Sequence, residues 1–157
     1  MIKKMDVTTD DVVIRHLRIR PGSGPGIEIS GGERIVIDHC TLGWTAGVAL
    51  SIAGTARDVT VQWCLIAESL VDASEGRGIA IDIAEGVVSL HHNYVAHHTY
   101  GFPFISAKDA EPGPTIDIRN NVLYDWVSAS GEVRGDYARI NLLANMYKAG
   151  PSTEELV

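Results

Sequence analysis

The strongest constraint on the fold is a hexapeptide that recurs six times along the chain. Each copy begins and ends on an apolar or aromatic residue, and successive copies start 23, 24, 29, 28 and 24 residues apart. The copies occupy residues 14–19, 37–42, 61–66, 90–95, 118–123 and 142–147. A period of this length is typical of a solenoid, because a propeller blade needs roughly 40 residues or more.

Alternating apolar residues predict the strands of this solenoid. Pairs such as Val12 and Ile14 lead into each hexapeptide, and period two places each pair on one face of a strand. A second strand is predicted between the hexapeptides, at residues 27–29, 48–52, 79–83 and 102–105. We therefore predict an all-β chain with one coil per repeat, a single domain over residues 1–150 and a frayed tail over 151–157.

Stacked coils place equivalent side chains in ladders with a spacing of about 4.8 Å. The fourth hexapeptide position holds Leu17, Cys40, Cys64, Asn93, Asn121 and Asn145. Stacked asparagine amides can bond the neighbours above and below, and asparagine tolerates the left-handed backbone of a sharp turn. Cys40 and Cys64 are predicted to be vertical neighbours in the core. They are interpreted as free thiols, with a disulfide as the alternative that the coil spacing permits.

Charge and hydropathy exclude several classes of partner. The chain has 13 basic and 20 acidic residues and a net charge of -7, which argues against binding nucleic acid or anionic membranes. No run approaches the roughly 20 apolar residues of a membrane span. Residues 1–5 carry lysines without a following apolar segment, so no signal peptide is expected. The localisation stays open: cytoplasmic, or extracellular if the chain is an excised domain of a secreted parent.

A series of short motifs resembles pectate lyases of polysaccharide lyase family one. The resemblance runs from about Val12 to Pro151 and depends on the order and spacing of the motifs. They are the Asp-His-Cys run at residues 38–40, Trp44, and residues 59–64, 68–70, 91–93, 119–122 and 150–151. This resemblance implies a right-handed parallel β-helix, which agrees with about six short coils from the repeat.

The same resemblance implies a calcium-dependent β-elimination, in which an arginine removes the proton beside a uronate carboxylate. Acidic side chains hold the calcium in that family. At the positions that match the calcium ligands of that family, this chain has Gly26, Gly47 and Val48. At the position of the base it has Gly101, and at the position of a second arginine it has Phe104. We therefore expect no catalytic residue, no metal site and no cofactor, with calcium only if a lyase site has been rebuilt elsewhere.

Polar and aromatic residues nevertheless remain on the face that resembles the lyase site. The candidate saccharide-binding residues are Glu28, Ser51, Asp82, Tyr100 and Phe102, with Ser106 and Lys108 nearby. A glycosidase-like pair of Asp82 with Glu85 or Glu28 is an alternative. Four histidines are interpreted as turn and ladder residues, with metal binding as the alternative; they are His91, His92, His97 and His98.

Three functions follow from these observations. The favoured one is a catalytically inactive, pectate-lyase-like β-helix that is structural and self-associates through open ends. The second is a carbohydrate-binding module that uses the remnant groove for a polysaccharide. The third is a noncanonical polysaccharide lyase or hydrolase.

Overall fold

The fold was analysed in a computed structural model that describes residues 2–70, 76–107 and 111–154. These residues form 18 strands in three parallel sheets of six strands each. The chain passes from sheet to sheet and returns to the first one coil later, which makes a solenoid of about six coils. No α-helix occurs in the described ranges, so the predicted all-β solenoid is confirmed.

Each coil contributes one strand to each sheet. The first sheet contains β1 (Met5–Val7), β4 (Ile27–Ile29), β7 (Val48–Gly54), β10 (Arg77–Ile83), β13 (Phe104–Ser106) and β16 (Glu132–Arg134). The second sheet contains β2 (Val12–Arg15), β5 (Glu33–Asp38), β8 (Arg57–Gln62), β11 (Val87–His91), β14 (Thr115–Arg119) and β17 (Arg139–Leu143). The third sheet contains β3 (Arg18–Ile19), β6 (Thr41–Thr45), β9 (Leu65–Ser69), β12 (Tyr94–Ala96), β15 (Val122–Tyr124) and β18 (Met146–Lys148).

Rows of aliphatic side chains fill the interior of the solenoid. In the first sheet Ile29, Ile52, Ile81 and Ile105 lie in one register row, and each is at most 1% exposed. Alternate residues of the same strands face outward, as period two requires. Strands of the inner coils therefore have one face in the core and the other face outward, whereas no residue is buried in the strands of the last coil.

The hexapeptides form the turn between the second and third sheets. The third residue of the hexapeptide, not the asparagine, takes the left-handed backbone, which corrects the prediction made for the fourth position. Its φ lies between 51° and 56° at His16, His39, Trp63, His92, Asn120 and Ala144. The bend falls there because the following side chain must point inward to reach the next coil.

The asparagines form the predicted ladder. Asn93 Nδ2 donates to Asn121 Oδ1 at 3.1 Å, and Asn121 Nδ2 donates to Asn145 Oδ1 at 2.9 Å. Cys40 and Cys64 continue this ladder as buried free thiols, and the Cys40 amide lies 3.4 Å from the Cys64 sulfur. Side-chain bonding thus ties the coils together at this turn.

A buried carboxylate links coils on the second sheet. Asp38 is 2% exposed and accepts hydrogen bonds from Arg15 Nε at 2.7 Å and Gln62 Nε2 at 2.9 Å. Burial opposes ionisation, but the bonds from Gln62, His39 and Arg15 outweigh it and lower the pKa of Asp38 to about 2. Asp38 is therefore ionised at neutral pH and joins three successive coils of the second sheet.

The last coil has an open apolar end. Its exposed large side chains are Val133, Leu142, Leu143, Met146 and Tyr147, between 44% and 61% exposed. Residues 151–154, predicted to fray, instead bond to the preceding coil: the Ser152 amide donates to Asp125 Oδ1 at 2.7 Å. Residues 155–157 lie outside the described ranges. No helix of the described chain is long and apolar enough to cross a membrane.

Candidate functional site

The first sheet and the turns that lead into its strands hold the resembled lyase positions and most of the candidate saccharide-binding residues. Its outward rows can be followed from coil to coil by register. One row is Glu28, Ser51, Ala80, Phe104 and Glu132. The face is therefore a stripe of side chains that runs parallel to the solenoid axis.

Gly26 leaves no room for a calcium-binding side chain. It lies immediately before β4 and donates its amide to Ala49 O at 3.2 Å. A Cβ atom at this position would lie 2.7 Å from that same oxygen. An acid here would require the backbone of the next coil to move.

Gly47 and Val48 also provide no carboxylate. Gly47 has a φ of +109° and faces open space, and its carbonyl accepts a hydrogen bond from the Arg77 amide at 3.2 Å. Val48 starts β7 and pairs in register with Arg77 at the start of β10. The positively charged Arg77 therefore lies in the next coil beside Val48, a position that matches a calcium ligand in the family that the sequence resembles.

The base position is closed by the backbone of the next coil. Gly101 donates its amide to Ala129 O at 2.6 Å, and a Cβ on Gly101 would lie 2.5 Å from Ser130 O. An arginine therefore does not fit at Gly101 on this backbone. Three residues further on, Phe104 begins β13.

Two arginines flank the ring of Phe104. The Arg77 Cζ lies 4.4 Å from the centre of that ring, and the Arg134 Cζ lies 5.1 Å from it. The Arg77 Cζ also lies 5.6 Å from the centre of the Tyr100 ring. We call Arg77, Tyr100, Phe104 and Arg134 the arginine–aromatic cluster.

The remaining candidates are only partly brought together. Glu28 and Ser51 are direct register neighbours, and Glu28 forms an ion pair with Lys4 at 3.0 Å. Asp82 lies in another row, where it pairs with Ala53. Phe102 is 1% exposed, so its ring belongs to the core and not to a sugar-binding surface. Lys108 lies outside the described residues, and Ser106 pairs with Arg134.

The residues of the alternative acid pair lie in different rows of the first sheet. Asp82 is two coils and two residues away from Glu28, which is roughly 12 Å between Cα atoms at strand spacing. Glu85 is held in a turn by Arg57 at 3.4 Å.

Two histidines have roles that the sequence did not separate. His97 Nδ1 lies 2.8 Å from Asp125 Oδ2, and His97 Nε2 lies 3.9 Å from Glu68. His98 is 1% exposed, and its Nε2 lies 3.1 Å from Ile66 O. Among the described residues no group of three or more His, Cys, Asp or Glu side chains converges on a metal position.

The arginine–aromatic cluster was not predicted from the sequence. Arg77 was given no role, and Phe104 was identified only as a residue at a resembled arginine position. The alternating strand gave no signal for it, because counting back from Ile79 in steps of two puts Arg77 in phase with the buried isoleucines of β10. The three parallel sheets and the six coils define the molecule as a parallel β-solenoid, the class of fold that the resemblance to pectate lyases implies.

Comparison with known proteins agrees with that class. The chain is 33% identical over 154 residues to a protein of Aspergillus terreus named "Probable pectate lyase C". It is 32% identical over 152 residues to the protein of that name in Neosartorya fischeri and 32% over 149 residues to that of Emericella nidulans. These alignments cover 92% of the chain, which spans about a third of the length of these curated relatives. No family profile matches the chain.

Proposed function

We propose that this chain is a non-catalytic pectate lyase-like solenoid that works as a structural, self-associating module. The observation that carries the proposal is the closed backbone at Gly101, where a Cβ would lie 2.5 Å from Ser130 O. The resembled reaction needs a base at that place. It also needs oxygen ligands for calcium, and Gly26, Gly47 and Val48 supply none from their side chains.

The loss of lyase activity is tested on polygalacturonate by absorbance of the unsaturated product, with added calcium and with chelator. The positive control is a pectate lyase of known calcium-dependent activity under the same conditions. We expect product from the control in calcium and none from this chain in either condition. Calcium-dependent product from this chain would contradict the proposal.

Self-association is proposed through the open apolar end, with a second copy as the occupant. Continuing the register beyond the last coil brings core residues of one copy against core residues of the next. Three rows meet directly: Val133 with Val7, Ile140 with Val12 and Leu142 with Ile14. In the third sheet Tyr147 would meet Ile2, because Ile2 already pairs with Ile19. The same register brings Arg139 of one copy toward Asp11 of the other. Stacking in register would continue both the core and the strand pairing.

Light scattering over a range of protein concentrations tests this contact. We expect the mass to rise above the 16.9 kDa of one chain as concentration increases. Leu142→Glu, at the open end, should remain at that mass because it buries a charge in the contact. Leu65→Glu changes an exposed leucine on the side of the solenoid and should still associate. A concentration-independent monomer of the unmodified chain would contradict self-association.

Saccharide binding is the second candidate function. The observation that favours it is the arginine–aromatic cluster, which combines rings with positive charge on the outward face. Glu28, Ser51 and Asp82 add polar groups along the same sheet. Polar groups with aromatic rings are common elements of carbohydrate sites.

A further inference from the structure

His91 and His92 each direct one ring nitrogen at the other. His91 Nδ1 lies 3.0 Å from His92 Nδ1, and the two rings are perpendicular, with their centres 5.2 Å apart. Only one hydrogen fits between two such nitrogens, so one of them donates and the other accepts. Two imidazole nitrogens that share one proton form a chelating pair, because a metal ion can take the place of that proton.

The distance between the two nitrogens favours one class of ion. An imidazole nitrogen lies about 2.0–2.1 Å from a bound zinc ion, and ions of similar size bind at similar distances. Two such nitrogens are therefore about 2.8–3.0 Å apart at a right angle and about 3.3–3.4 Å apart at a tetrahedral angle. The observed 3.0 Å fits the right angle, which is typical of square-planar and tetragonal Cu²⁺ and Ni²⁺ sites. Of these two ions, Cu²⁺ binds nitrogen ligands more tightly.

The solenoid fixes the positions of both rings. His91 is the last residue of β11 and lies between Gln62 and Arg119 in the register of the second sheet. His92 takes the left-handed bend with a φ of 56°. Its ring stacks on Trp63, with 4.4 Å between the ring centres and 15° between the planes. The pair is therefore preorganised, which lowers the entropic cost of binding an ion.

The positive charge next to the pair is already balanced. Arg119, the register neighbour of His91, pairs with Asp117. The other oxygen of Asp117 accepts from Asn141 Nδ2 at 2.7 Å, so we do not count this carboxylate as a ligand. Both histidine rings are partly exposed, and solvent can therefore supply the remaining ligands. The surface depression around them is lined by Ser89, His91, His92, Asp117, Arg119 and Asn120.

Three other histidines are committed to different contacts. His39 Nδ1 lies 2.7 Å from a carboxylate oxygen of Asp38, and His97 Nδ1 lies 2.8 Å from one of Asp125. His98 is buried, with its Nε2 on a backbone carbonyl. The convergent pair of nitrogens thus separates His91 and His92 from the histidines that the solenoid uses for its own bonding.

We propose that His91 and His92 bind Cu²⁺, with their two Nδ1 atoms as adjacent ligands and water at the remaining positions. Binding releases the proton that the two rings share. Trp63 is a positioning residue, because it holds the His92 ring. The site lies at the turn between the second and third sheets and is independent of the proposed non-catalytic function.

Calorimetric titration of the full chain with Cu²⁺ tests the site, with glycine in the buffer as a competing ligand that suppresses weaker sites. We expect one strong site per chain and, in electron paramagnetic resonance, a tetragonal Cu²⁺ signal with nitrogen ligands. His91→Gln and His92→Gln should each weaken binding about 10-fold or more, because one imidazole alone cannot chelate the ion. Melting curves without metal establish that each variant is folded.

His16→Gln is the matched control. This exposed histidine takes the same left-handed bend as His92 in the first coil, and its loss should leave Cu²⁺ binding within about twofold of the unmodified chain. Trp63→Leu adds a second readout, because it should weaken binding and keep the nitrogen signal. Three results would overturn the inference: no Cu²⁺ binding in glycine, unchanged binding in both His91→Gln and His92→Gln, or Zn²⁺ binding as tight as that of Cu²⁺.

Discussion

At the scale of single residues, His98 shows how the solenoid fixes a protonation state. The ring is 1% exposed, its Nε2 is 3.1 Å from Ile66 O, and its Nδ1 has no partner among the described residues. Nε2 therefore carries the proton in the neutral ring, and a second proton on Nδ1 would have no acceptor. Burial lowers the pKa of His98 from 6.5 to about 4.

This histidine predicts acid sensitivity. The pKa of His98 is lower in the folded chain than in the unfolded chain, so a falling pH protonates the unfolded chain first and favours it. The free energy of unfolding is therefore highest above pH 6.5 and decreases as the pH falls to about 4. The loss should amount to roughly 3 kcal/mol of unfolding free energy. Urea unfolding at pH 7 and pH 4 measures it. His98→Gln should flatten this dependence, whereas His16→Gln, at an exposed ring, should leave it unchanged; a similar slope in His98→Gln would contradict the assignment.

The asparagine ladder predicts a second effect on stability. Asn121 donates to Leu90 O at 2.8 Å and to Asn145, and its Oδ1 accepts from the Asn93 amide at 2.9 Å. Asn121→Ala leaves buried groups unpaired and should cost about 3 kcal/mol. Asn141→Ala removes one exposed bond to Asp117 and should cost less than about 1 kcal/mol. Equal losses in chemical denaturation would show that the ladder does not hold the coils.

At the scale of elements, the sequence predicted two strands per coil, whereas the structure has three. The second-sheet and most first-sheet strands were found because apolar residues alternate within them. Third-sheet strands such as Arg18–Ile19 and Tyr94–Ala96 are two and three residues long. Alternation cannot be recognised over so few residues, so this sheet was hidden within the hexapeptides.

The close approach of the Ser130 backbone to Gly101 predicts that an arginine cannot simply be restored at the position of the family's base. Gly101→Arg should give no lyase product and should lose roughly 3 kcal/mol or more, because its Cβ meets the Ser130 backbone. Gly47→Arg faces open space and should lose about 1–2 kcal/mol, from its φ of +109°. Thermal unfolding compares the two. A fully stable Gly101→Arg would show that the coil spacing yields more easily than the structure indicates.

At the scale of the whole molecule, the repeat was sufficient to predict the solenoid but not its functional face. The hexapeptides before and after Arg77 start 29 residues apart, against 23 or 24 in the earlier coils. Val48 and Arg77 are also 29 residues apart, so this interval does identify Arg77 as the neighbour of Val48 in the next coil. What the spacing does not show is that the Arg77 guanidinium packs on the ring of Phe104.

If the proposed non-catalytic function is right, the first-sheet face binds no calcium in the folded chain. The most direct test is the melting temperature in millimolar calcium and in chelator, because a ligand that binds the folded state stabilises it by about 2.7 kcal/mol at 100 times its Kd. We expect the same melting temperature in both solutions. A melting temperature that rises with calcium concentration would contradict the proposed loss of the calcium site and would mean that the face still holds the ion.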